Sequence, residues 1–337
     1  MPPKKINVAV VGLGFMGVTH LRCYQKIPRA RIVAVCDPSR LPVNGVLAGV
    51  NGNIQKTAAI QLGDGVKFHR DFKELLADKN VAVVDICTPT ALHSAQAIAA
   101  LKAGKHVLCE KPLAQNSADA KKVLAAVVAS EKFLMPAMCM RFWPGWAELK
   151  AIVTAEKYGK VRAASFRRVS AKPAWGKAKT HFGGALFDLH IHDTDFVNFL
   201  FGRPQSVFST GVQGADGGID HVVTQYFFPR GPVVHAEGSW LAADGFNMAF
   251  TLHCERATVD FDFARGAAAL HISEAGKKIR TVKLAPGDGY GAELKYFVDC
   301  VATGKKPSVA TAHDCVTALE ILHAEEKSVR SGKVISL

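Results

Sequence analysis

INVAVVGLGFMGVTHLRCYQKIPRARIVAVCD, residues 6 to 37, runs from an apolar, β-branched stretch (Ile6 to Val11) into Gly12-Leu13-Gly14-Phe15-Met16-Gly17. A helix-compatible segment follows, then a second apolar run, Ile32 to Cys36, that ends in Asp37. A lone G-x-G-x-x-G is weak evidence, since glycine triplets occur in many loops. Here it lies between a strand and a helix, with an acid 20 residues past the third glycine, which is the spacing of a dinucleotide-binding βαβ unit. Gly12 allows the tight turn, Gly14 lets the backbone approach a pyrophosphate, and Gly17 lets helix and strand pack closely. Phe15 and Met16 open the helix whose N-terminus faces the phosphate charge. Asp37 can accept hydrogen bonds from ribose hydroxyls and would repel a 2′-phosphate, so NAD is favoured over NADP. Arg40 could accommodate that phosphate, which leaves dual use open.

At 337 residues the chain is long for one domain and suggests two. A 49% hydrophobic, 21% charged composition is that of a globular protein with sizeable cores. The apolar runs are strand-sized and broken by glycine or polar residues, so no membrane span is expected. A signal-peptide reading of the basic N-terminus would consume the glycine fingerprint, and we reject it. Eight cysteines without C-x-x-C spacing fit free thiols in a reducing cytoplasm. The formal charge of +13 raises nucleic acid as a partner. No nucleic-acid motif accompanies it, however, and none is expected to bind. The one basic concentration, residues 157 to 181, contains eight Lys or Arg and no acid. It fits a solvated or subunit-contacting face, or a funnel for an anionic substrate or cofactor.

Helix and strand patterns alternate after Asp37: helix at Phe72 to Ala77, strand at Val81 to Cys87, helix at Thr90 to Ala103 and strand at His106 to Cys109. A helix at Ser117 to Ser130 and a strand at Phe133 to Met138 complete the series. Near-continuous apolar strands in βαβ alternation predict an α/β, Rossmann-type doubly wound parallel sheet over residues 1–137. From about Gly159 the pattern becomes strand-rich, with helices only near 184 to 201, 291 to 302 and 312 to 331. Residues 138–337 are therefore expected to form an α+β domain for substrate binding and oligomerisation, with a large, mostly antiparallel sheet. Phe246 to Phe263 reads as a hairpin turning near Glu255-Arg256-Ala257, and Thr311 as the N-cap of the last helix.

Two segments reach the carboxyl edge of the parallel sheet, where ligands of such folds bind. They are Asp85 to His93 and Cys109-Glu110-Lys111-Pro112. Lys111 there could hydrogen-bond a nicotinamide ribose or a substrate oxygen. A cis Lys111–Pro112 bond is chemically allowed but not legible in sequence. A third segment is Gly183-Gly184-Ala185-Leu186-Phe187-Asp188-Leu189-His190-Ile191-His192-Asp193-Thr194-Asp195. If helical, Asp188, His192 and Asp195 share one face, while Leu186, Leu189, Phe196 and Leu200 face a core. Asp188 could orient His192, whose unperturbed pKa of about 6.5 suits proton exchange with a hydroxyl. His190, His192, Asp193 and Asp195 are also ligand types. On a helix, though, residues two apart point about 200° from each other, so no metal is expected. Arg141, Lys172, Trp175, His190 and Trp240 are candidate substrate contacts.

These segments, in this order, resemble the Gfo/Idh/MocA family of NAD(P)-dependent oxidoreductases of sugars and cyclitols. The resemblance covers nearly the whole chain, through the glycine fingerprint, TPTALHSAQAIAALKAGKHVLCEKPLA (Thr88 to Ala114) and GGALFDLHIHDTD (Gly183 to Asp195). It implies Lys111, Asp188 and His192 as the catalytic set. It also implies cofactor contacts around Thr88, Pro89, His93, Glu110 and Lys111, and a strand end at Met140-Arg141-Phe142 facing nicotinamide and substrate. Many members have glycine two residues after the aspartate, where this chain has His190; that bears on substrate identity. The implied partners are a sugar-like substrate and copies of the chain itself, as a homodimer or homotetramer. Two other functions stay open: an NAD-dependent glycoside hydrolase of a related branch, and a non-catalytic dinucleotide sensor.

Overall fold

The computed structural model describes residues 5–50, 52, 57–173 and 183–337. Two compact units emerge, Met1–Phe142 with Asp288–Val316, and Trp143–Gly287 with Thr317–Leu337. The expected division, 1–137 against 138–337, differs in two places. The first unit runs on to Phe142, and the chain returns to it at 288–316. The apolar face of the returning helix explains that return, because Leu294, Phe297 and Val298 are fully buried in the core of the first unit.

The first unit is built on β1 (Ile6–Val11), β2 (Ala30–Cys36), the short pair β3 (Val46–Leu47) and β4 (Ile60–Gln61), β5 (Lys67–His69), β6 (Val83–Ile86), β7 (His106–Glu110) and β8 (Leu134–Ala137). Its helices are α1 (Phe15–Tyr24), α2 (Phe72–Ala77), α3 (Thr90–Lys102) and α4 (Ser117–Val128), with α7 (Gly289–Thr303) from the returning segment. The six-stranded sheet has the order β5-β2-β1-β6-β7-β8, and every pairing is parallel. Numbered by sequence within the sheet this is 3-2-1-4-5-6, with its switch point between β1 and β6. Strands such as Val83–Ile86 are buried at every position, as a sheet covered on both faces requires.

Among the described residues, the second unit contains α5 (Trp146–Thr154), α6 (Ile191–Phe201), most of α8 (Ala312–Ser331) and nine strands. These are β9 (Val161–Ala171), β10 (Ser206–Gln213), β11 (Ile219–Phe227), β12 (Val233–Ser239), β13 (Leu241–Cys254), β14 (Ala257–Asp262), β15 (Leu270–Glu274), β16 (Arg280–Val282) and β17 (Ile335–Ser336). They form one sheet, β16-β15-β14-β13-β9-β12-β11-β10-β17. All pairings are antiparallel except β9 with β12. Burial alternates along β9 and β14, so one face is covered and the other is not. The covered face holds Trp146 among Phe166, Phe196, Phe250 and Phe261, with Phe196 edge-on at 4.8 Å.

The expected hairpin closes between β13 and β14. Thr311 caps α8, accepting from the Asp314 N–H at 3.2 Å while Asp314 accepts from the Thr311 N–H at 2.8 Å. Helix α5 went unforeseen. Pro144-Gly145 reads as a break, yet the Gly145 N–H is capped by the Glu148 side chain, and Trp146 and Leu149 bury one face.

Candidate active site

Gly12 ends β1 with φ +85°. A Cβ there would lie 2.6 Å from the Cys87 carbonyl oxygen, so no larger residue fits where β1 and β6 deliver their C-terminal ends. At Gly17 a Cβ would lie 1.9 Å from Gly12 O, while at Gly14 nothing lies within 4 Å. The middle glycine is thus the open side of the turn, and α1 starts beside it at Phe15 with no side-chain cap, leaving its first N–H groups for a ligand. This cradle fits a pyrophosphate.

Asp37 ends the neighbouring strand. Its carboxylate accepts from the N–H groups of Leu13 (2.9 Å), Ser39 (3.0 Å) and Arg40 (2.8 Å) and from the Ser39 hydroxyl. Burial would raise its pKa; these donors outweigh burial and lower it. Arg40 folds back, its guanidinium donating to the carbonyls of Leu13 and Ala48. The 2′-phosphate role foreseen for Arg40 competes with both bonds.

Thr88 and Pro89 form the turn after β6, with the Thr88 hydroxyl bonded to Gln96 at 2.6 Å. His93, expected at the cofactor, is 1% exposed. Its ring nitrogens lie 2.7 Å from Pro112 O and 2.6 Å from Thr88 O, so it ties two loops together from inside. Glu110 is also buried. One of its oxygens accepts from the Lys111 N–H at 3.1 Å, and the other lies 3.3 Å from His20 Nε2. Lys111 is half-buried, and the Lys111–Pro112 peptide is cis. Arg141 is no open substrate contact: at 4% exposure it donates to Val309 O at 2.7 Å and pairs with Asp314 at 3.1 Å.

The cluster beneath these loops was not foreseen from the sequence. His20 of α1 is fully buried, 2.8 Å from Asp85 Oδ2, and its ligating atom lies with those of Asp85 and Cys87 inside 4.8 Å. Burial disfavours a charged ring, yet Asp85 overrides it and lifts the His20 pKa well above the usual value. Glu293 of α7 is buried with neither oxygen hydrogen-bonded, and burial drives its pKa well up. A lone acid in the apolar strand Val83-Val84-Asp85-Ile86 was the one available signal.

In the second unit, a π-helical turn, Leu186–His190, leads into α6. Leu186, Leu189 and Phe196 face the core as expected, and Leu200 is half-buried. Asp188 and His192 are half-buried, but Asp195 is fully buried rather than sharing their face. The wider turn shifts the angular register that a regular helix would keep. His190, expected as a substrate contact, is instead a core residue. A Cβ at Gly238 of β12 would sit 2.6 Å from its Cβ, so the turn presses onto the sheet at a position only glycine allows. His190 Nε2 lies 3.3 Å from the Tyr226 hydroxyl and 3.5 Å from Glu325 Oε2, and Glu325 accepts from Thr194 at 3.1 Å.

That contact resembles an ion pair in distance only. Burial, then the charges of Arg168 and His221, depress the His190 pKa to about 3, and burial pushes Glu325 up to about 8, so both are neutral near pH 7. In the unfolded chain Glu325 ionises near the ordinary carboxyl value of 4.5. The folded state therefore binds the extra proton between that value and about 8, and the stability it lends falls as pH rises through this window. Glu325→Gln, neutral at every pH, is expected to gain on the wild type as pH rises, by on the order of a few kcal/mol at pH 8. Denaturant melts at about pH 5 and pH 8 read this directly; an equal difference at both would rule it out.

Asp193 is paired with Arg168, at 2.8 Å to Nε and 3.2 Å to Nη2. His190 thus lies in the core and Asp193 in an ion pair. Lys172 pairs with Asp220 (2.7 Å) and Asp216 (3.2 Å) and sits 5.6 Å from the ring of Trp240, itself buried. Trp175 lies outside the described residues.

Comparison with known proteins gives the same picture. The Gfo/Idh/MocA oxidoreductase family, NAD-binding Rossmann fold, matches residues 6–138, and the family's C-terminal domain matches residues 146–260. Levoglucosan dehydrogenase of Pseudarthrobacter phenanthrenivorans is 28% identical over 99% of this chain and 94% of its own. Myo-inositol 2-dehydrogenase of Thermotoga maritima is 27% identical over 98% of both. A solved levoglucosan dehydrogenase, in complex with NADH and levoglucosan, shares the fold with a TM-score of 0.84 at 23% identity over 99% of each chain. With both of its domains matched in order, the chain belongs to the Gfo/Idh/MocA family of oxidoreductases, and its first unit is that family's NAD-binding Rossmann fold.

Proposed function

We propose that this protein oxidises a secondary alcohol on a sugar or cyclitol ring, or runs the reverse reduction. The observation that carries this is the pair Asp188 and His192, left accessible on a turn whose neighbours His190, Asp193 and Asp195 are buried. Bound NAD supplies the hydride acceptor or donor. His192 takes the hydroxyl proton, Asp188 orients the imidazole and the substrate, and the Lys111 ammonium stabilises negative charge on the substrate oxygen. The backbone of Gly12 to Gly17 with Phe15 and Met16, the Asp37 carboxylate, and the Thr88–Pro89 turn serve the cofactor. His93 and Glu110 support that site from within. The curated relatives are dehydrogenases of an anhydrosugar and an inositol, and polyols of this kind are the substrate class we assign. Neutral polyols fit better than anions, since Lys172 and Arg168 are each held by carboxylates. A panel of sugars, cyclitols and uronic acids, read by NADH formation, tests the assignment; no turnover with any ring alcohol would end it.

NAD is the cofactor in this reading. The Asp37 carboxylate would face a 2′-phosphate, and Arg40 is spent on two backbone carbonyls. NADH is expected to bind at least about tenfold tighter than NADPH, a difference of roughly 1.4 kcal/mol. Fluorescence titration with each nucleotide decides it, and tighter NADPH binding would overturn the choice.

The uncovered sheet face exposes Val223, Phe227 and Val233, apolar area that favours burial against a second copy. We assign a homodimer or homotetramer; a monomeric mass by light scattering would refute that. Free thiols at Cys23, Cys36, Cys87, Cys109, Cys254 and Cys300 support a cytoplasmic setting. Among the described residues no helix is long and apolar enough to cross a membrane.

A further inference from the structure

We propose that His20 is a positioning residue for Lys111, linking the helix of the glycine turn to the catalytic lysine through Glu110. The inference rests on the role given to Lys111 above. His20 sits on α1, the helix that opens at Phe15, with its ring fully buried. Asp85, at the end of β6, holds Nδ1 at 2.8 Å. The opposite nitrogen lies 3.3 Å from Glu110 Oε1 at the end of β7. Glu110 turns its other oxygen to the Lys111 backbone N–H, at 3.1 Å. One residue further on, the Pro112 carbonyl lies 2.7 Å from His93 Nδ1. The backbone is therefore gripped immediately before and immediately after the Lys111 side chain, from two different helices.

A buried imidazole between two carboxylates is costly to assemble, because three ionisable groups must be desolvated together. An apolar residue would fill the same space without that cost. The arrangement makes sense as an orienting device: the ring fixes the rotamer of Glu110, and Glu110 fixes the peptide that aims Lys111. Loss of the ring frees Glu110 to rotate and lets the lysine drift, while the turn of Gly12, Gly14 and Gly17 keeps its own backbone constraints. The expected signature is a loss in turnover with cofactor affinity retained.

The test is a double-mutant cycle on the full chain with Lys111. His20→Gln is expected to lower kcat about 10- to 100-fold in the wild-type background while the NADH dissociation constant changes by less than about threefold. In a Lys111→Ala background the same substitution should cost less than about twofold, since the group it positions is gone. Equal losses in both backgrounds would show a general structural defect and overturn the proposal. A second readout does not need turnover. Lysines are reductively methylated with ¹³C-formaldehyde, and the Lys111 resonance is identified by its absence in Lys111→Arg. His20→Gln should shift or broaden that resonance and leave those of exposed lysines in place; an unmoved Lys111 signal overturns the proposal. Should His20→Gln fail to fold, Glu110→Gln, which keeps the shape and removes the charge beside the ring, carries both measurements. A shifted Lys111 signal in a protein that oxidises no polyol would sink the proposed function and leave the positioning intact. Additive losses in an active dehydrogenase would do the reverse.

Discussion

His192→Ala is expected to lower kcat by about 10²- to 10⁴-fold, the usual worth of a positioned general base, and to leave NADH binding within about twofold of the wild type. The two halves of this expectation have separate origins. Proton removal is assigned, in the proposed reading, to the half-buried His192 imidazole at the start of α6, where Ile191 and Asp193 on either side are buried. Nucleotide binding, in the proposed reading, rests on the turn after β1, on Asp37 and on the Thr88–Pro89 turn, all within the first unit. His192→Asn separates polarity from base chemistry: it keeps a smaller polar group but no base, and should be nearly as slow as the alanine variant. Stopped-flow or steady-state NADH formation with the best polyol, paired with NADH fluorescence titration, makes the measurement. A variant with wild-type turnover, or one that loses NADH binding in step with activity, would remove His192 from the mechanism.

Local chemistry explains what was legible in sequence. Gly17 is required by backbone five positions away, at Gly12 O, and although Gly12 is required by the distant Cys87 O, the glycine spacing itself is local, so a spacing rule captures both. The parallel strands announce themselves because both faces are buried, which leaves uninterrupted runs such as Val8 to Val11. His190 was misjudged because its environment is assembled from distant strands. Tyr226 is 36 positions away and Glu325 lies on α8, and no local pattern distinguishes a histidine packed on Gly238 from one facing a substrate. The same holds for His20, whose partners stand 65 and 90 positions away at Asp85 and Glu110. Arg141 was expected at the site from the family resemblance of Met140-Arg141-Phe142. Its partners, Val309 and Asp314, belong to the segment that returns to the first unit after the second is complete. The surroundings missed in sequence are thus those assembled by long-range burial, and the ones anticipated are those that follow from turn spacing.

Asp193→Ala is expected to destabilise the second unit by about 3–5 kcal/mol, because it strands a buried guanidinium. Arg168 is 2% exposed in the middle of β9, and both of its bonds to Asp193 cross from the sheet to α6. The remaining surroundings offer little compensation: the Trp146 ring 5.2 Å away and the Met248 sulfur at 3.3 Å. The Asp193 pKa points the same way. Burial raises it, while Arg168, by charge and hydrogen bonds, holds it down without cancelling the rise. The pair costs desolvation on both sides, so its contribution shows chiefly when one partner is removed. Arg168→Met with Asp193→Leu should therefore recover most of the loss, since two apolar side chains of similar volume avoid both the stranded charge and the desolvation. Asp193 is also the residue after His192 on α6, so the pair anchors the helix that presents the imidazole to the strand beneath it. The double variant, restored in stability, is expected to remain slower than the wild type, because packing alone fixes a helix less sharply than a bidentate bond does. Denaturant unfolding of the three variants beside their kcat values separates the two effects. If Asp193→Ala unfolds like the wild type, the pair does not hold α6 to the sheet.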